Sequence, residues 1–134
     1  MRRIVLAVLA AQLVLAAPAL AGNGITPVSP KRGDTVPKGS RPVFKGKVAG
    51  PGPVWIRVCR SPRKNAKGLI CADEAVMRAH RRGGRFSVRA RFFDFPAFWL
   101  NRPGRYYWQA DRISCVRSLS DCRLEGPVVR FRVG

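Results

Sequence analysis

Alternation of apolar and polar residues is the dominant pattern along this chain. From Arg85 to Phe92 every second residue is apolar, and the others are Arg or Ser. Because successive side chains on a strand point to opposite faces, this segment is predicted to bury one face and expose a basic one. Residues 44–48, 54–59, 106–110 and 129–133 alternate in the same way. The pattern predicts β-strands, and no segment has the sustained periodicity of an amphipathic helix.

Turn-forming residues separate these segments and complete the prediction of an all-β fold. Pairs of Gly and Pro, or of two Gly residues, lie at 50–53, 83–84, 103–104 and 126–127,. With an irregular edge strand near 25–29 and another around 69–77, seven short strands are expected, which is typical of an antiparallel β-sandwich. The inward positions define the predicted core: Phe44, Val54, Ile56, Val58, Phe86, Val88, Tyr106, Trp108, Val129 and Phe131.

The N-terminal segment has the features of a secretory signal peptide. Two arginines precede an apolar stretch over 4–17, and a small-residue cleavage site ends at Ala21,. An uncleaved membrane anchor is the alternative, but Gln12 and Pro18 interrupt the run, and a bilayer span needs about 20 apolar residues. We therefore expect a signal peptide over 1–21, and a secreted, extracellular domain over 22–134.

Net charge narrows the choice of partners. The chain has 26 Lys and Arg against 7 Asp and Glu, a net charge of +19. Cleavage after Ala21 removes two arginines and no acidic residue, so the charge of the remainder falls by two to +17. Such a charge favours anionic partners, which outside a cell are wall polymers, glycans or lipid surfaces. The alternative is a compositional bias towards Arg without any dedicated ligand.

The segment 100–110, Leu-Asn-Arg-Pro-Gly-Arg-Tyr-Tyr-Trp-Gln-Ala, resembles the E–F corner of fibronectin type III-like and immunoglobulin-like domains,. There a Leu and a Pro-Gly precede a Tyr-rich strand F. The opening around 29–44 and the ending over 125–133 are similar to such modules in secreted bacterial proteins. The motif marks a structural corner and not a functional site, and the sequence as a whole favours a non-enzymatic binding or adhesion module. The resemblance implies the strand assignment A near 25–29, B 42–48, C 53–60, C′ 69–77, E 84–92, F 104–113 and G 127–133.

This strand order places basic residues on two outer faces of the sandwich. Strands B and E, which contain no carboxylate, would expose Lys45, Lys47, Arg85, Arg89 and Arg91. Strands C, F and G would expose Trp55, Arg57, Arg130 and Arg132, beside Tyr107 and Gln109. A planar guanidinium beside aromatic rings suits phosphate, carboxylate or sugar recognition. Both sets are candidate binding residues.

Four cysteines in a small secreted domain favour two disulfide bonds. Of the three possible pairings, the local one joins Cys59 to Cys71 and Cys115 to Cys122. A zinc site would need pairs of cysteines with two to four residues between them, and these pairs have eleven and six intervening residues,. No metal or other cofactor is therefore expected.

Catalysis has no support in the sequence. The only histidine, His80, lies among arginines, and the acidic residues are scattered without a nucleophile motif,. The tripeptide over 32–34, Arg-Gly-Asp, matches an integrin-recognition motif but is expected to be an ordinary turn. The aromatic segment 92–100 is expected to close one end of the sandwich; if exposed, it would form a partner or membrane patch. We predict that the protein is not an enzyme.

Two functions of other classes compete with a binding module. One is a cationic effector that acts on membranes or nucleic acid, although no recognition motif supports sequence-specific nucleic-acid binding. The other is a structural module that docks onto another extracellular protein by edge-strand addition through the strand near 25–29. The first predicts leakage of anionic vesicles, and the second predicts a complex whose formation is insensitive to salt.

Overall fold

A computed structural model describes residues 23–61, 63, 75–90, 99–114 and 123–134. This part of the chain forms nine β-strands and one 3₁₀ turn, over Trp99–Asn101. The strands are β1 (Ile25–Ser29), β2 (Thr35–Val36), β3 (Val43–Val48), β4 (Val54–Cys59), β5 (Ala75–Arg78), β6 (His80–Arg82), β7 (Arg85–Arg89), β8 (Gly104–Ile113) and β9 (Arg123–Val133).

The strands form two sheets, as a β-sandwich requires. The first sheet has the order β1-β3-β7-β6, with antiparallel pairing throughout. The second has the order β2-β9-β8-β4-β5, in which β2 runs parallel to β9 and the other pairs are antiparallel. The predicted strands over 42–48 and 84–92 are neighbours, because β3 pairs with β7.

Inward-facing apolar residues of both sheets pack into one core, and the alternation of the sequence predicted most of it. Nine of the ten predicted core residues are buried, and Val88 is half-buried against them. Phe44 contacts Trp108 edge-on, with ring centroids 5.5 Å apart, and lies 5.8 Å from Phe131. The buried Trp108 Nε1 donates a hydrogen bond to the Pro30 carbonyl, 2.9 Å away, so the polar edge of this large side chain is satisfied.

Strand number and strand ends differ from the prediction. Residues 80–82, expected in a loop, form β6, because a turn at Gly83-Gly84 folds them back onto β7. Gly83 has φ +58°, a conformation that glycine adopts without steric cost,. The chain changes sheets at Ala79, whose amide still donates to the Val54 carbonyl of β4. β2 is a further strand that the sequence did not predict, and β9 begins at Arg123 rather than at 127.

Several predictions fall on residues outside the described part of the chain. These are the signal peptide, the aromatic segment 92–98, Arg91, and the first part of the strand expected over 69–77. Cys59 is buried and forms a disulfide bond. Cys71, Cys115 and Cys122 are not described, so both proposed pairings stay predictions. Within the described ranges, no helix is long and apolar enough to cross a membrane.

Candidate binding site on the outer face of the first sheet

Antiparallel pairing brings basic residues into lateral rows on the outer face of the first sheet. Lys47 on β3 lies opposite Arg85 on β7, which in turn lies opposite Arg82 on β6. Neighbouring strands are about 4.8 Å apart, so these three side chains project side by side from one row. Lys47 and Arg85 were predicted together, and the strand β6 adds Arg82.

The next row has a different composition, with a small residue between two longer ones. Ser87 on β7 lies opposite Lys45 on β3 and opposite His80 on β6. The short Ser87 side chain leaves a depression between its neighbours. Its lining residues are Val28, Lys45, Gly46, Lys47, His80, Arg82, Arg85, Phe86 and Ser87.

A third row extends the basic surface along β7. Arg89 lies opposite Val43, and its guanidinium donates to the Arg41 carbonyl at 3.2 Å. Arg91, the last basic residue predicted for this face, lies outside the described residues. We call the exposed cations of the three rows the cationic face: Lys45, Lys47, Arg82, Arg85 and Arg89.

No carboxylate neutralises the cationic face within the described ranges. Neither salt bridge between described residues includes any member of the face. The described carboxylates lie elsewhere: Asp34 accepts the Lys31 amide in a turn, and Asp111 and Glu125 belong to the second sheet. Like charges directly opposite on neighbouring strands destabilise a sheet by about 0.2–1 kcal/mol per close pair. An anionic ligand would relieve this repulsion.

Arg81 lies between His80 and Arg82 on β6 and opposite Phe86, so it does not belong to the cationic face. Its role is structural. Its guanidinium donates to the carbonyls of Gly50, Gly52 and Gly83. These bonds join the β3–β4 loop to the β6–β7 hairpin. The predicted strand assignment left Arg78, Arg81 and Arg82 in the connection between strands C′ and E, and the strand pairing of β6 separates their roles.

The face predicted on the second sheet is corrected by the structure. Arg57 was expected to be exposed, but only 4% of its surface is accessible, and Gln109 is buried as well. Arg57 Nε lies 3.3 Å from one carboxylate oxygen of Asp111, and Arg123 Nε lies 3.2 Å from the other. Asp111 is fully buried. Arg57 is therefore committed to an internal ion pair.

Burial dominates the electrostatics of this ion pair. It raises the pKa of the Asp111 carboxyl, an effect that the charges of Arg57 and Arg123 oppose. It also lowers the pKa of Arg57, which Asp111 opposes. Removing two ions from water costs several kcal/mol for each ion, and their attraction must offset this cost. The cluster has a structural role, and removing one of its partners should lower the free energy of unfolding substantially.

The other residues predicted on the second sheet do not form one site. Trp55 is half-buried, and its indole nitrogen has no hydrogen-bond partner among the described residues. Arg130 and Arg132 are exposed on β9, where they lie opposite Tyr107 and Arg105 on β8. Because Arg57 of β4 is buried against Asp111 of β8, the predicted guanidinium groups and aromatic rings do not form a single exposed surface.

Comparisons with known proteins identify no relative of this chain. No protein-family model, no curated protein and no solved structure matches the chain. Among the described residues, no group of three His, Cys, Asp or Glu side chains is close enough to hold a metal ion. In the turn that contains residues 32–34, the Lys31 amide donates a hydrogen bond to the Asp34 carboxylate, 2.8 Å away. The cationic face is the most coherent chemical surface that the structure describes.

Proposed function

We propose that this chain is a secreted, non-enzymatic binding or adhesion module that holds an anionic polymer, such as a wall polymer or a glycan, on its cationic face. The observation that carries the proposal is the row formed by Lys47, Arg85 and Arg82. Three exposed cations lie side by side without a carboxylate partner among the described residues. Such an arrangement has a folding cost and supports association with polyanions.

We further propose that the domain is a fibronectin type III-like or immunoglobulin-like module. Two observations support this assignment. One sheet combines β4, β8 and β9 and adds β2 in parallel to β9, while the other combines β1, β3, β7 and β6. The Tyr106 hydroxyl donates to the Arg102 carbonyl at 2.7 Å, near the start of β8. That contact has the geometry of the tyrosine corner in such domains.

The proposed binding is electrostatic and therefore depends on salt. Exposed charges are screened over about 8 Å at physiological ionic strength, so affinity should decrease as salt is added. A real site differs from a compositional excess of charge in one respect. Its affinity depends on which cations are removed, whereas a diffuse charge responds only to their number.

Retention on isolated cell wall, heparin and anionic vesicles across a salt series tests the proposal. The variant K47Q/R82Q/R85Q removes three charges from the cationic face, and R105Q/R130Q/R132Q removes three exposed charges from the second sheet. We expect at least about a tenfold loss of affinity in the first variant, since charge-assisted hydrogen bonds contribute about 1.5–3 kcal/mol each. The control should retain nearly all binding. Equal losses in both variants would contradict the proposal.

Edge-strand addition is a second candidate because β1 lies at an edge of the first sheet. The same strand contains Pro27 and a register shift between Pro27 and Ser29. Proline and irregular pairing are features that protect sheet edges from further strands. The cationic face is therefore the better-supported surface. A protein complex that persists at high salt and survives the K47Q/R82Q/R85Q change would instead favour edge docking.

A further inference from the structure

The depression on the cationic face continues into a second one along β7. The second depression is lined by Val43, Pro53, Arg78, Ala79, His80, Arg81, Ser87, Val88 and Arg89. His80 and Ser87 line both depressions. Arg85 and Arg89 mark the two ends, four residues apart on one strand, which corresponds to about 13 Å. We call the two adjoining depressions the β7 groove.

The groove offers charge and little else that could recognise a polymer. Its exposed ends are basic, with Arg85 and Arg82 at one and Arg78 and Arg89 at the other. Phe86 is the only Phe, Tyr or Trp among the described lining side chains, and only 2% of its surface is accessible. Apart from the exposed His80 imidazole, a base or sugar ring would therefore find no aromatic face to stack on within the described lining,.

The arrangement of donors distinguishes between anionic groups. A carboxylate presents two oxygens and fits one guanidinium fork, whereas a phosphate has additional oxygens that accept bonds from several directions. The row of Lys47, Arg85 and Arg82 offers donors from three adjacent strands. In the next row the Ser87 hydroxyl can donate as well,. This set of donors matches a phosphate better than a carboxylate.

Resting on the proposed function, we propose that the β7 groove binds an unbranched polymer of closely spaced phosphate groups, extended along β7 from Arg85 to Arg89. One phosphate lies at the row of Lys47 and Arg85, and later phosphates of the same chain reach Arg78 and Arg89. His80 lies at the junction of the two depressions, beside the middle of the bound chain. A ligand too short to span the groove uses only one of its ends.

Inorganic polyphosphate is the probe, with triphosphate as the short ligand and heparin and polyglutamate as polymers of other anions. His80 is the only histidine of the chain, so its imidazole gives one assignable NMR signal. We expect this signal to shift with polyphosphate, which should bind at least about tenfold more tightly than triphosphate per site, and more tightly than heparin or polyglutamate at equal charge. Equal affinity for triphosphate, or tighter binding of either other polymer, would overturn the inference.

Two double variants separate this inference from the proposed function. R78Q/R89Q should weaken polyphosphate binding about tenfold and leave triphosphate binding unchanged, whereas K47Q/R85Q should weaken both. If R78Q/R89Q has no effect while K47Q/R85Q does, the extended groove is refuted and the cationic face stands. If neither variant changes binding, both proposals fail. Thermal melts of the variants confirm that each is folded, and all four side chains are exposed.

Discussion

The two sheets use outward-facing arginines in opposite ways. On the first sheet, Arg82 and Arg85 lie side by side, exposed and without a carboxylate among the described residues. On the second sheet, Arg57 is buried against Asp111, which also contacts Arg123. The register decides the difference, because it aligns cations with cations in one row of the first sheet, whereas on the second sheet it places Asp111 diagonally between Arg57 and Arg123. The first arrangement suits a ligand, and the second stabilises the domain only while it is complete.

The largest effect is expected from breaking the internal ion pair. Asp111→Asn keeps the shape of the side chain but leaves the buried Arg57 charge uncompensated, and such losses cost about 3–5 kcal/mol. Urea denaturation should show this decrease in the free energy of unfolding. Asp34→Asn, in an exposed turn, is the matched control and should cost about 1 kcal/mol or less.

A charge-free replacement checks the cause of that loss. The double variant Arg57→Met with Asp111→Leu removes both buried charges, so it should recover most of the stability lost in Asp111→Asn. If Asp111→Asn unfolds at the wild-type urea concentration, the ion pair has no structural role, and the contrast between the sheets is wrong.

The packing beneath the cationic face is the next most sensitive feature. Gly46 lies between Lys45 and Lys47, and a Cβ there would approach the Phe86 ring and the Thr26 carbonyl to 2.5 Å. Gly46→Ala should therefore cost about 1–3 kcal/mol through overpacking. It should also weaken polyanion binding by the folded protein, because β3 carries two of the cations. At Gly84 an added Cβ would meet only the Val48 carbonyl, at 3.5 Å. Gly84→Ala should therefore leave both the stability and the polyanion binding unchanged.

Replacing Tyr106, in the core between the sheets, should have a smaller effect on the free energy of unfolding, and that effect should depend on pH. Burial raises its pKa, which Arg60 and Arg102 oppose. The unfolded chain then loses the phenolic proton at a lower pH than the folded protein does. Stability due to this group is complete below pH 10 and decreases as pH rises through the folded value.

The variant Tyr106→Phe tests the predicted loss of stability at alkaline pH. It should cost about 1 kcal/mol at neutral pH, since the hydrogen bond to Arg102 is lost,. Its stability should also decrease less than that of wild type between neutral and strongly alkaline pH. Tyr107→Phe, at the adjacent half-buried position, keeps that bond and should retain wild-type stability at neutral pH. Parallel curves for wild type and Tyr106→Phe would rule out the predicted titration.

The smallest effect has the opposite sign and comes from the cationic face itself. K47Q/R82Q/R85Q removes two close pairs of like charges and should raise the free energy of unfolding by about 0.5–1 kcal/mol at low salt. The gain should vanish at high salt, where the repulsion is screened. A less stable variant at low salt would mean that these side chains have structural partners.

Sequence reasoning predicted the parts of the fold that depend on local pattern. Alternation identified the inward faces around Phe44, Ile56 and Trp108, which are buried as expected. It could not predict that Arg82 joins the cationic face or that His80 lines the depression there, because both depend on the pairing formed at the Gly83-Gly84 turn. It also placed Arg57 in solvent. Arg57 pairs with Gln109, and Asp111 lies two residues further along β8, so their contact depends on the register between β4 and β8, which the alternation does not specify.

The most direct test of the central claim is the thermal stabilisation of the protein by a polyanion. A ligand that binds only the folded state raises the melting temperature by mass action. We predict that heparin or polyphosphate raises the melting temperature of wild type and of R105Q/R130Q/R132Q equally. The same ligand should leave that of K47Q/R82Q/R85Q nearly unchanged. An equal rise in both variants would show that total charge, and not the cationic face, determines binding.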